Sequence, residues 1–164
     1  MWSTLSSMAT PYTIIRSTTV DASPDAVRAQ ITDFRRWVDW SPWEGLDPAL
    51  TRTYSGPATG VGSSYAWEGN KKAGAGTMRI VRDEPGVVEV ALEFSRPFSA
   101  KNTVDFVLTS PAGDRTRVDW VMHGELNPLM RVFSFFKSMD SMMGPDFERG
   151  LAQLKRVTEA SATA

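Results

Sequence analysis

The 164-residue sequence contains no cysteine, which excludes disulfide bonds, cysteine nucleophiles and cysteine-ligated metal sites. A single histidine, His123, leaves too few imidazoles for a histidine-rich metal centre. The formal net charge is −1, so the chain lacks the basic excess of a nonspecific nucleic-acid binder. We therefore expect no metal and no nucleic-acid partner. No cofactor is expected either, because the glycine pairs Gly60/Gly62 and Gly74/Gly76 lead into strands and not into the helix that a dinucleotide site requires.

Long hydrophobic runs are also missing. No segment approaches the ~20 apolar residues of a membrane helix, which predicts no stable membrane insertion. The first ten residues lack the basic and apolar regions of a secretory signal. From these two absences we expect a cytoplasmic protein.

The length and composition fit one globular domain. Hydrophobic residues make up 41% of the chain and charged residues 23%, which are ordinary values for a folded protein. We assign residues 1–10 to a flexible leader, 11–158 to a single domain and 159–164 to a flexible tail.

The N-terminal part of the domain predicts one strand and two short helices. Tyr12–Val20 alternates and is rich in β-branched residues, which is typical of a strand. Ser23 is then a suitable N-cap, with proline at the first helical position. A second short helix is predicted after Asp33. The stretch from Trp37 to Pro57 is rich in proline and glycine and is predicted to be mostly loop.

Runs with a period of two follow, separated by glycine or proline turns. They cover residues 63–69, 76–83, 87–95, 100–109 and 116–125. In each run apolar residues occupy one parity and polar residues the other, which predicts an antiparallel sheet with one dry face.

The C-terminal part predicts a long helix that covers this dry face. Phe147, Leu151 and Leu154 recur at helical spacing, and no other element is long enough to serve as the cover. Pro145 removes a backbone donor, so we expect either a kink or a late helix start there. The space between sheet and helix is the predicted binding site.

Three segments carry a resemblance to a known family. They are Trp37–Trp43 (WVDWSPW), Gly62–Asn70 (GSSYAWEGN) and Met139–Lys155 (MDSMMGPDFERGLAQLK). Together with the order of elements, they resemble the SRPBCC superfamily, the START-like or pollen-allergen-like helix-grip fold, in its bacterial polyketide cyclase/dehydrase-like branch. The resemblance implies an α+β fold in which a curved antiparallel sheet of about seven strands wraps around a C-terminal helix. It also implies a lipid, polyketide or similar ligand, but no universal catalytic motif.

The predicted cavity lining combines aromatic, aliphatic and methionine side chains. Methionine adapts to guests of different shape, and tyrosine and tryptophan add a polar handle to an aromatic face. Asn102 and Tyr65 are predicted to orient the guest. The proposed lining is Tyr65, Trp67, Met78, Val90, Phe94, Asn102, Phe106, Trp120, Met143 and Phe147.

The alternation also predicts the charge of the wall. Glu68, Arg79, Glu89, Glu93, Lys101, Asp105, Arg117, Asp119 and His123 fall on the outer parity. A shift of one residue would bury a charge at a cost of several kcal/mol, so the register is constrained. We expect a neutral sheet-side wall, with polarity only from Asn102, Tyr65 and the indole N–H groups of Trp67 and Trp120. A charged headgroup would then stay at the mouth.

The cavity mouth is predicted from the loop and from the apolar stretch at residues 129–143. The mouth or lid residues are Trp43, Glu44, Phe136, Met139 and Asp140. Asn127-Pro128 and Gly144-Pro145 bracket residues 129–143 like hinges, which favours a mobile flap; a docking surface for a partner or membrane is the alternative.

Two further function classes remain beside a carrier or sequestering protein for a small hydrophobic molecule. A cyclase or dehydratase can act by holding its substrate in a reactive shape, and no catalytic residue is assigned. An ionisable group such as Glu44 or Asp140 pointing into the pocket would favour that enzyme. The third class is an interaction module that uses residues 129–143. The chain is expected to be a monomer or a weak homodimer.

Overall fold

The computed structural model describes residues 10–126 and 138–163. The predicted leader lies outside this range apart from Thr10. The elements in chain order are β1 (Thr10–Val20), α1 (Pro24–Ile31), a 3₁₀ helix (Phe34–Asp39), β2 (Thr51–Ser55), β3 (Ser64–Glu68), β4 (Ala75–Glu84), β5 (Val87–Arg96), β6 (Ala100–Thr109), β7 (Thr116–Leu126) and α2 (Met139–Ala162).

The seven strands form one antiparallel sheet in the order β1-β7-β6-β5-β4-β3-β2. Each strand from β2 to β7 therefore pairs with its neighbour in sequence, and β1 returns to pair with β7. The predicted α+β class and the helix-grip arrangement of sheet and C-terminal helix are confirmed. The strands predicted from alternation agree with the observed ones to within one residue at each end, except that β1 begins two residues earlier, at Thr10.

The two short helical elements begin where the sequence predicts. Ser23 caps α1, accepting a hydrogen bond from the backbone N–H of Ala26 at 3.2 Å, and Pro24 occupies the first turn. Asp33 caps the 3₁₀ helix by accepting from Arg35 N at 3.0 Å. These elements carry Trp37 and Trp40 into the core, where their indole N–H groups donate to backbone carbonyls of α1.

The expectation of loop throughout residues 37–57 is wrong at its end, because β2 forms there. Residues Thr51–Ser55 pair with β3, which places Arg52 opposite Trp67 and Tyr54 opposite Tyr65. This edge strand carries an arginine and a tyrosine on its half-buried face instead of aliphatic residues. It therefore lacks the apolar alternation by which the other strands are recognised.

Helix α2 begins at Met139, before Pro145, so the alternative of a late helix start is wrong. Ser138 caps the helix by accepting from Ser141 N at 3.2 Å. Pro145 lies inside the helix and leaves the carbonyl of Ser141 without its usual i+4 donor. The helix continues to Ala162, so most of the predicted flexible tail at 159–164 is helical.

The helix packs along β1 and reaches β7 at close range. At Gly150 a Cβ would lie 2.9 Å from the ring of Trp120 and 2.8 Å from Pro42, and at Gly144 it would lie 2.0 Å from the Arg16 guanidinium. Small residues at these two positions allow the helix to approach the sheet closely. The buried side of the helix consists of Phe147, Leu151, Leu154 and Thr158 besides the two glycines.

No helix within residues 10–126 and 138–163 is long and apolar enough to cross a membrane.

Candidate functional site

A cavity of about 340 Å³ lies between the first two turns of α2, the loop after the 3₁₀ helix and the inner face of β3 to β5. This volume is at the lower end of the range for small-molecule sites. Its lining is Trp37, Ser41, Trp43, Glu44, Leu46, Leu50, Tyr65, Trp67, Lys72, Ala73, Gly74, Met78, Leu92, Phe94, Arg96, Pro97, Met142, Met143 and Asp146.

The sheet-side wall of the cavity is aromatic. The rings of Tyr65 and Trp67 stack with centroids 6.1 Å apart, and Phe94 meets Trp67 edge-on at 5.8 Å. Trp67 lies over Gly76, where a Cβ would be 2.5 Å from its ring. Glycine at this position allows the indole to lie flat against the sheet.

The prediction that the Trp67 indole N–H supplies polarity to the cavity is not supported. That N–H donates to the carbonyl of Ala73 at 3.0 Å. The bond holds the ring in place and occupies its single donor, so the indole offers the cavity only its apolar surface.

One end of the cavity has a polar cluster that joins the loop to β2. The Arg52 guanidinium forms an ion pair and a hydrogen bond with Glu44, which lines the cavity. Tyr65 also lines it and is 9% exposed. Burial and the nearby Glu44 carboxylate raise the pKa of Tyr65 to about 12, against a smaller opposing effect of Arg52. The phenol therefore stays protonated at neutral pH and is a hydrogen-bond donor.

The nine charged residues predicted on the outer parity do not line the cavity, and the inner residues Tyr65, Trp67, Met78, Leu92 and Phe94 are uncharged. His123 is exposed, with Nδ1 3.2 Å from the hydroxyl of Thr13. The expectation that polarity comes only from Asn102, Tyr65 and two indoles is nevertheless wrong. Glu44, Lys72, Arg96 and Asp146 also line the cavity, at its rim.

Seven of the predicted site residues line the cavity: Trp43, Glu44, Tyr65, Trp67, Met78, Phe94 and Met143. The loop residues Leu46 and Leu50, the turn residue Lys72 and the helix residues Met142 and Asp146 were not predicted. Their side chains join the cavity through loop geometry and helix placement, for which the sequence gives no periodic signal. Arg52, which holds Glu44, was missed because β2 itself was missed.

Four predicted lining residues lie in the closed core instead: Val90, Phe106, Trp120 and Phe147. Trp120 stacks on Phe147 with ring centroids 4.3 Å apart and an interplanar angle of 13°. Trp43 meets both rings edge-on and separates them from the cavity that it lines. The Trp120 indole N–H is buried without a partner among the described residues.

Asn102 is also placed away from the cavity. Its Oδ1 accepts a hydrogen bond of 2.6 Å from the hydroxyl of Tyr12, and the residue is 7% exposed. Both side chains lie over Gly124 of β7, where a Cβ would be 2.1 Å from Asn102 Oδ1. The expected role of Asn102 as an anchor inside the cavity is therefore replaced by a bond that joins β6 to the edge strand β1.

The predicted mouth residues Met139 and Asp140 lie outside the cavity lining. Asp140 does not line the cavity, because both its oxygens accept hydrogen bonds of 2.9 Å from Arg16 of β1. Met139 is half-buried against the core and is not part of the lining. Phe136 lies outside the described residues, as does most of the predicted flap, whose last residues form the start of α2.

Within residues 10–126 and 138–163, no group of three or more His, Asp and Glu side chains could hold a metal ion. Among the ionisable side chains that line the cavity, the Glu44 carboxylate lies close enough to the Tyr65 phenol to raise its pKa, and this pair is the candidate for acid–base chemistry.

Solved structures with the same fold come from several sources. Norcoclaurine synthase from Thalictrum flavum, determined in complex with dopamine and hydroxybenzaldehyde, is 11% identical and has a TM-score of 0.65, covering 91% of this chain and 87% of its own. A protein of unknown function from Staphylococcus aureus is 12% identical with a TM-score of 0.67, covering 96% and 99%. Ginseng major latex-like protein 151 from Panax ginseng is 16% identical with a TM-score of 0.60, covering 94% and 99%. These similarities establish the fold alone.

The family assignment comes from the sequence itself. A search among curated proteins gives no significant match. A family model described as polyketide cyclase / dehydrase and lipid transport matches residues 13–159, which is nearly the whole chain. The chain belongs to this family of SRPBCC-type helix-grip proteins.

Proposed function

We propose that the chain binds a small, mostly uncharged hydrophobic molecule in the cavity between sheet and helix, as a carrier or sequestering protein. The observation that carries the proposal is the cavity itself, with a sheet-side wall of Tyr65, Trp67, Met78, Leu92 and Phe94. Apolar burial against such a wall favours binding by ~25 cal/mol per Å² before the costs of association are subtracted.

The volume limits the class of guest. About 340 Å³ suits a single short chain or a small ring system and is too small for a lipid with two long acyl chains. Within the family's range, a small polyketide or a single-chain lipid therefore fits better than a membrane phospholipid.

The experiment measures binding of decanol and a small aromatic polyketide by native mass spectrometry and calorimetry. Met78→Trp fills the cavity and is expected to weaken binding at least about tenfold, because the guest loses its space. Thr77→Trp is the matched control, since Thr77 is the exposed neighbour on the opposite face of β4. If neither compound binds the wild type, or if both variants bind alike, the cavity is not the binding site.

The alternative function, a cyclase-like enzyme, is favoured by the presence of Glu44 and Tyr65 in one cavity. In an aldol cyclisation Glu44 would accept a proton from the carbon next to a carbonyl. The resulting enolate carbon would attack a second carbonyl, and the new alkoxide would take its proton from Tyr65. The proton on Glu44 would then restore the phenol, so the net reaction is an isomerisation without a co-reactant.

This alternative is tested by incubating the protein with a linear polyketone and following cyclised products by chromatography. An enzyme would show turnover that Glu44→Gln and Tyr65→Phe each reduce by about 10²-fold or more, while substrate binding remains. A carrier would bind the polyketone without accelerating its cyclisation. The interaction-module alternative rests on residues 129–143 and stays a prediction.

A further inference from the structure

The charged residues at the cavity rim are distributed unevenly. Glu44 and Asp146 lie on the side of the loop and helix, and each carboxylate is already matched by an arginine. Glu44 is paired with Arg52, and Asp146 accepts a hydrogen bond from Arg149 at 2.9 Å. This side of the mouth therefore carries little net charge.

The opposite side has two cations with weak or no ion pairs. Within the part of the chain that the structure describes, no carboxylate lies within 4.0 Å of the Lys72 ammonium group. The nearest carboxylate to Arg96 is that of Glu68 at 3.5 Å, and both side chains are more than half exposed, so this pair contributes little. The carboxylate of Asp47 is engaged with backbone N–H groups of Ala49 and Asn70, each at 2.8 Å.

The backbone holds these two cations at the same rim. Asn70 Oδ1 accepts from the N–H groups of Lys72 and Ala73, each at 3.0 Å, and so fixes the turn between β3 and β4. Arg96 ends β5 and lies opposite Ala75 at the start of β4. Both residues line the cavity next to the aromatic wall.

We propose that the guest is an anionic amphiphile whose acidic group, a carboxylate or a phosphate, binds at the mouth between Lys72 and Arg96. Its uncharged body lies inside against Trp67, Phe94 and Met78. This inference deepens the function proposed above and rests on it, since it names the headgroup of the guest and the residues that receive it.

The orientation follows from the cost of burying charge. An acidic group turned inward would meet a wall without cations and would lose hydration worth several kcal/mol. At the mouth the same group keeps part of its water and gains two positive charges. A single acyl chain with one acidic end satisfies both the neutral wall and the basic rim.

The test compares decanoate with decanol, which have the same chain and differ in the headgroup. We expect the wild type to bind decanoate more tightly than decanol at low salt, with the difference shrinking as salt is raised. Lys72→Gln combined with Arg96→Gln should weaken decanoate binding by about threefold to tenfold more than it weakens decanol binding. Lys71→Gln is the matched control, because Lys71 is an exposed cation on the same turn that does not line the cavity.

The outcomes separate this inference from the proposed function. If decanol and decanoate bind equally, or if Lys71→Gln weakens decanoate as much as the double variant, the headgroup site is refuted while the cavity stands. If neither ligand binds, the proposed function fails as well. Decyl phosphate in place of decanoate distinguishes the two acidic groups. If decyl phosphate binds more tightly than decanoate and its binding depends on Lys72 and Arg96, the site is assigned to a phosphate. If it binds equally or more weakly, the site is assigned to a carboxylate.

Discussion

Substitutions at the hydrogen bond between Tyr12 and Asn102 test whether Asn102 stabilises the fold, as its position in the structure indicates, or binds the guest, as the sequence predicted. Tyr12 Oη donates to Asn102 Oδ1 at 2.6 Å, whereas Asn102 Nδ2 is buried without a partner among the described residues. The native amide is thus half satisfied. The two single substitutions at this pair are therefore expected to have unequal costs.

The magnitudes follow from what each change leaves behind. Tyr12→Phe removes the donor and leaves a buried amide with neither group paired, which costs about 1–3 kcal/mol. Asn102→Leu keeps the branched shape and removes the unpaired Nδ2 donor together with the acceptor. It leaves only the hydroxyl of the half-buried Tyr12 without its partner, so the free energy of unfolding should fall by less than about 1 kcal/mol. The double variant replaces both partners by apolar groups and should be more stable than Tyr12→Phe alone.

Urea unfolding followed by tryptophan fluorescence measures all three variants. Tyr54→Phe is the control, because the Tyr54 hydroxyl forms no hydrogen bond within residues 10–126 and 138–163, and it should change stability by less than ~0.5 kcal/mol. A double variant less stable than Tyr12→Phe would refute the reasoning. Decanol binding supplies a second readout. Asn102→Leu should leave the decanol affinity unchanged, and a lower affinity would show that Asn102 does contribute to the binding site.

Three further predictions concern ionisation and packing. Burial raises the pKa of Tyr12 and Tyr65 to about 12, above the value near 10 of the unfolded chain. The stability that these two phenols contribute is therefore present below pH 10 and is lost as the pH rises towards 12. The phenolate absorbance of the native protein should reveal both pKa values. The hydrogen bond from the Arg16 guanidinium lowers the pKa of Asp140. This carboxylate therefore stabilises the fold above its unfolded pKa, and the stabilisation is lost as the pH falls through the pKa of the folded state. Asp140→Asn should flatten the acid unfolding profile below about pH 4. Phe147→Ala should lower the free energy of unfolding by about 3–5 kcal/mol in urea, whereas Phe98→Ala at an exposed position should change it by less than ~0.5 kcal/mol.

Most of the fold was predictable because one physical constraint repeats along the chain. A sheet with one dry face needs apolar residues at every second position. The buried parity is apolar in β5 from Val88 to Leu92, in β6 from Val104 to Leu108 and in β7 from Val118 to Met122, while Asn102 and Thr116 are buried polar exceptions. The edge strand β2 escapes the rule. Its inward residues, Arg52 and Tyr54, are only half-buried and pair with Glu44 or lie under Arg35, so polar groups are tolerated there.

The site was less predictable than the fold. The alternation along a strand shows which residues face the inside of the sheet, but it does not show which of these residues line the cavity and which lie in the packed core. Phe106 and Trp120 share the inner face with Trp67 and Phe94, but only the latter two meet the cavity. The difference is set by where α2 crosses the sheet. No local pattern in the strands contains that information, since the same apolar side chain serves a packed core and an open wall equally well.

Two glycines of α2 decide this crossing. Gly144 lies against Arg16 of β1, and Gly150 lies against Trp120 of β7, so the helix comes close to the sheet on the β1 side. There Phe147 fills the interface and stacks on Trp120. The inner face of β3 to β5 is then too far from the helix to be covered by its buried side. Only Met142, Met143 and Asp146 of α2 reach the space left above Trp67 and Phe94. The cavity is thus a consequence of close packing elsewhere, and the residues that create it are different from those that line it.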